Sequence, residues 1–134
     1  MQILGLYGVT VVIFFALDFL GLRYLVGPLF RRLVGDMLLE SFRAGPALVF
    51  YLFYVAGLVW FVSLPALRGD GPGDAFVQGA FLGALAYGTY EFTNYATLKG
   101  WTWQMVAADL AWGTLLTAVS AAAGVAVMRG NLVN

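Results

Sequence analysis

Residues 44–67 read AGPALVFYLFYVAGLVWFVSLPAL, a stretch without one charged side chain. A helix crossing a bilayer core needs about 20 apolar residues, so this run predicts a transmembrane span. Pro46 suits a first helical turn, and Pro65 is expected to kink or end the helix. Working outward, three more stretches have the same character. The first runs from about residue 3 to 22 and is broken only by Asp18. Another covers about 75–98 and contains Glu91, and the last covers about 105–128 and contains Asp109. Only 10% of the residues are charged and 62% are hydrophobic, against about 25% charged in soluble domains. The expected fold is all-α and integral to a membrane. It has four transmembrane helices in a single domain over residues 1–134.

The connections have distinct characters. RGDGPGD (68–74) is a turn, with three glycines and a proline. KGWTWQ (99–104) is a short turn whose Trp101 and Trp103 are expected in the interfacial aromatic belt. Between the first two spans, Leu29, Phe30, Leu33, Val34, Met37, Leu38 and Phe42 repeat at helical spacing. Arg31, Arg32, Asp36, Glu40 and Arg43 fill the other face. This pattern predicts an interfacial amphipathic helix over about 28–43. In the third span Gly79 and Gly83 form a small-xxx-small pair, and the fourth offers Gly113, Thr117 and Ala121. Small residues at this spacing let helices approach closely in lipid. The N-terminus has no basic n-region and no small-residue cleavage site, and is expected to be a retained first span.

Cysteine and histidine are absent. Their absence removes disulfides, thiolate chemistry, histidine ligation and histidine triads. Any metal would need oxygen ligands, and no cofactor is implied. Seven basic residues balance seven acidic ones, so nothing points to nucleic acid. Basic residues are unevenly placed. Arg23, Arg31, Arg32, Arg43 and Lys99 flank one set of span ends, and Arg68 and Arg129 the other. The positive-inside rule then puts the first set in the cytoplasm, with both termini outside, in a bacterial inner membrane.

This topology brings Asp18, Glu91 and Asp109 toward one membrane face, each roughly 6–12 Å below the interface at 1.5 Å per residue. Tyr87, Glu91 and Asn94 share a helical face, and Trp112 follows Asp109 by three residues. Arg23 and Lys99 are the nearest charge partners. Intramembrane carboxylates are costly and are usually paired or functional. The layer is expected to be either a structural network or a ligand site formed by Asp18, Tyr87, Glu91, Asn94, Asp109 and Trp112.

The successive segments ALDFLGL (16–22), GPLFRRLVGDML (27–38), PALVFYLFYVAGLVWFVSLPAL (46–67), AYGTYEFTNYATLKGW (86–101) and DLAWGT (109–114) carry a family resemblance. The chain resembles, over about residues 3–128, the small bacterial membrane proteins of domain-of-unknown-function family 2177. The resemblance implies four spans and no assigned activity. It also implies a lipid connection, because such proteins are often encoded beside lipid-modifying or stress-response genes.

Three functions fit these readings. The leading one is binding or moving a lipid-like or small amphiphilic ligand at a cytoplasm-facing acidic pocket. The second is a non-catalytic accessory or scaffold subunit, as a homo-oligomer or with a membrane partner protein. The third is an enzyme using the carboxylates as acid/base groups or hard-metal ligands. Membrane lipids are expected neighbours in every case.

Overall fold

The computed structural model describes residues 2–133, with side chains described through residue 130. The described residues are helical throughout apart from short turns, with no strand. Helix α1 spans Gln2–Gly21 and α2 spans Gly27–Val34. A π turn at Leu22–Val26 joins them, and a 3-10 turn at Gly35–Met37 follows. Helix α3 spans Ala44–Leu58 and passes through a second π turn, Val59–Ser63, into α4 at Leu64–Arg68. Helices α5 (Pro72–Thr97) and α6 (Trp103–Val133) complete the chain.

Each π turn ends two residues before a proline, Pro28 and Pro65. A proline inside an α-helix lacks an N–H and crowds the carbonyl four residues earlier. A π turn shifts the hydrogen-bond partner by one residue and so accommodates both defects. Helix therefore continues through each proline, and Pro65 does not end the second span.

The first span and the interfacial segment likewise form one helical run of 36 residues, from Gln2 to Met37. The amphipathic helix expected over 28–43 holds only to Met37. Gly35 weakens it, and residues 38–43 leave helical geometry to reach the start of α3. Extended chain covers about 3.3 Å per residue against 1.5 Å for helix.

Three of the helical runs are long and apolar enough to cross a membrane: Gln2–Met37, Ala44–Arg68 and Trp103–Gly130. Helix α5 is long enough at 26 residues, but its glutamine, glutamate, asparagine, tyrosines and glycines leave it less apolar. It lies along α6, and α6 also packs against α1, so α6 is the central helix.

Close approach depends on missing side chains. A Cβ on Gly79 would lie 3.1 Å from both Ala121 Cβ and the Thr117 carbonyl oxygen. One on Gly83 would lie 2.7 Å from the Gly113 carbonyl oxygen. These are the small residues singled out from the sequence, and they form the α5–α6 contact. On the other side of α6, Gly124 receives Thr10 of α1. The outward faces carry large apolar side chains, among them Phe53, Phe61, Val12 and Phe81, a surface suited to lipid.

Two turn residues hold the α5–α6 hairpin. Gly100 has a φ of 79°, a conformation glycine adopts without strain. Thr102 Oγ1 then accepts the Met105 backbone N–H at 3.3 Å and caps the first turn of α6. At the opposite end Gly71, with φ 91°, precedes Pro72 at the start of α5. The Arg129 guanidinium donates there to the Gly69 and Ala66 carbonyl oxygens.

Candidate functional site

The short hairpin sets the depth of two acids. Glu91 lies six residues inside the end of α5, and Asp109 six residues inside the start of α6. Antiparallel pairing therefore places them at one level, about 9 Å from the turn, and their carboxyl groups are neighbours. Asp18 of α1, a helix that also packs on α6, comes close to Asp109. All three are buried: Glu91 is 0% exposed, Asp18 7% and Asp109 9%. Among the described residues, no three acidic side chains form a group that could hold a metal ion.

The expected charge partners are not engaged. Arg23 is exposed, with its guanidinium 5.5 Å from the centre of the Tyr24 ring. Lys99 is exposed in the turn. Among the described residues, no lysine or arginine nitrogen comes within 4.0 Å of the three carboxylates. Glu91 is held instead by Trp101, whose Nε1–H donates to Glu91 Oε1 at 2.9 Å. Its second oxygen, Oε2, is buried without a partner. Trp101 is thus tied to the acidic layer, while Trp103 is exposed. The Trp101 ring also meets Phe30 of α2 edge-on at 5.4 Å, which brings α2 and the α5–α6 turn to the same end of the bundle.

Two glycines position the aromatic members. A Cβ on Gly21 would fall inside the Trp112 indole, and one on Gly113 inside the Tyr87 ring. Trp112 therefore lies flat against α1, with Nε1 near the Asp18 carboxyl but short of hydrogen-bond geometry. Tyr87 packs over α6 and meets the Tyr54 ring edge-on at 6.3 Å. Asn94 is half-buried beside Tyr90, on the edge of the cluster.

A cavity of about 1150 Å³ opens beside this layer. Leu22, Val26 and Phe30 form one wall, and Leu38, Leu39 and Phe42 of the extended segment form another. Phe50, Tyr51 and Tyr54 of α3 face Ala86, Tyr87 and Tyr90 of α5. Among the described residues of α6, Asp109 alone lines it. Of the six residues expected to form a site, Tyr87 and Asp109 line this cavity. Asp18, Glu91, Asn94 and Trp112 do not.

Tyr51 and Tyr54 were not legible as site residues. Tyr54 shares a hydrogen bond of 3.0 Å with Thr117 Oγ1, and Tyr51 lies near Asp18. Their one sequence signal is two hydroxyl-bearing rings, three residues apart, in a span without charge.

The fold defines an all-helical membrane protein with a buried acidic layer at one end, to which α1, α5 and α6 each contribute one carboxyl group. The chain belongs to domain-of-unknown-function family 2177, described as a predicted membrane protein, whose family model matches residues 3–126. No curated protein and no solved structure matches it.

Proposed function

We propose that this protein binds, or hands across a membrane, a lipid-like or small amphiphilic ligand in the cavity floored by Asp109. The cavity itself carries this reading. Its volume of about 1150 Å³ exceeds the roughly 300–1,000 Å³ of ordinary ligand sites. Its walls are mainly aliphatic and aromatic, with Arg31, Glu40, Asp109 and tyrosine hydroxyls as the polar groups, a combination that suits an amphiphile. The acids' end is assigned to the cytoplasm, because Arg23, Arg31, Arg32 and Lys99 gather there. Both termini would then lie outside, in a bacterial inner membrane.

Native mass spectrometry of the protein extracted in mild detergent tests this reading. Wild-type protein is expected to retain a bound amphiphile. Ala86→Trp, which fills the cavity from α5, is expected to lose it while keeping its helical content. Retention of the same ligand by a folded Ala86→Trp protein would place binding elsewhere and overturn the proposal.

A further inference from the structure

We infer that the ligand's head is a positively charged amine seated at Asp109, an inference that rests on the binding reading above. Asp109 is nine-tenths buried, faces the cavity and has no lysine or arginine within 4.0 Å among the described residues. Its neighbour is Glu91, completely buried, with Oε2 making no hydrogen bond among the described residues. Asp18 also lies close to Asp109. Buried carboxylates are costly unless paired or hydrogen-bonded, and this layer holds more acid than the surrounding donors satisfy. An anionic head would meet these same carboxylates and be repelled.

A second observation agrees in chemistry. Tyr51, Tyr54, Tyr87 and Tyr90 line the same cavity as Asp109, and aromatic faces attract alkylammonium groups. Arg31, the cation among the lining residues, is accompanied there by Glu40, so the cavity has no net basic end. Phe30, Leu38, Phe42 and Phe50 leave an apolar wall for the chain. The shared chemistry is an ammonium head on an apolar tail, found both in free alkylammonium amphiphiles and in aminophospholipids.

The test compares head groups on the full-length protein in an uncharged detergent, with each probe kept below its micellar concentration. Probes of matched chain length are dodecyltrimethylammonium, a dodecanoyl lysophosphatidylethanolamine, dodecyl sulfate and dodecanol, with bound probe counted by native mass spectrometry. At least one ammonium-bearing probe is expected to bind tenfold or more tightly than the sulfate and the alcohol. Which of the two prevails identifies the source of the head group. Asp109→Asn is expected to cut that preference below threefold. If Asp109→Asn fails to fold, the wild-type head-group ranking alone decides. Equal binding of all four probes, or preference for the sulfate, would overturn the cationic head and leave the cavity reading standing. Binding of none would overturn both.

Discussion

The α5–α6 contact offers the most direct test of how this bundle is held together. Replacing Gly83 by alanine adds one methyl at a point where Gly113 O stands at 2.7 Å, and Thr117 Cβ and Oγ1 at 2.9 Å. Ordinary contact begins at 3.4 Å, so the helices must separate by about 0.7 Å. The nearest obstacle is a backbone oxygen in the middle of a helix, which cannot swing aside. A gap of 0.5–1 Å forfeits about a quarter to a half of each dispersion contact it opens, and overpacking typically costs about 1–3 kcal/mol. Alanine's better helix propensity returns up to about 1 kcal/mol, which leaves a net loss of about 0–2 kcal/mol. Gly83→Leu is expected to lose more. Gly57→Ala is the control, because a methyl there meets nothing within 4 Å, and the same propensity gain should leave it neutral or slightly stabilised. Reversible unfolding in mixed detergent micelles, followed by circular dichroism, measures the series. A Gly83→Ala protein as stable as Gly57→Ala would refute the claim that close backbone approach at this point holds the hairpin.

Two further outcomes follow from hydrogen bonds. Trp101→Phe removes the donor to Glu91 Oε1 and leaves a fully buried carboxyl group without a hydrogen-bond partner among the described residues. The expected loss is about 1–3 kcal/mol. A double-mutant cycle with Glu91→Leu, which removes the acceptor, should show a coupling well above 0.5 kcal/mol, and additive effects would argue against the pair. Arg129→Ala removes the donor to the Ala66 and Gly69 carbonyls. It should cost about 1 kcal/mol or more and speed limited proteolysis within residues 68–74, and an unchanged cleavage rate would contradict this role.

The level of the acidic layer was legible because helix geometry is nearly rigid. Glu91 and Asp109 are joined by a tight turn, and fixed rise per residue alone puts them at one depth. Gly79, Gly83, Gly113 and Thr117 were legible as a contact face, because small residues at four-residue spacing have one strong use in lipid. The partners of the acids were not legible. Sequence proximity nominated Arg23 and Lys99, but both point outward, and Trp101 fills the role. An exposed cation near the bundle end loses no hydration by remaining there, whereas pairing with a buried acid would require it to be desolvated.

The sequence by itself determined the class, the helical content and the level of the acidic layer. Those follow from composition, from a period of 3.6 residues and from turn chemistry, all of which act over short stretches of chain. Only the tertiary structure decided that helix passes through Pro28 and Pro65, that α6 is the central helix, and that Tyr51 and Tyr54 wall a cavity over Asp109. Those depend on which faces meet across dozens of residues. In a chain this apolar, hydrophobicity marks nearly every face alike, so packing shape rather than pattern chooses among them.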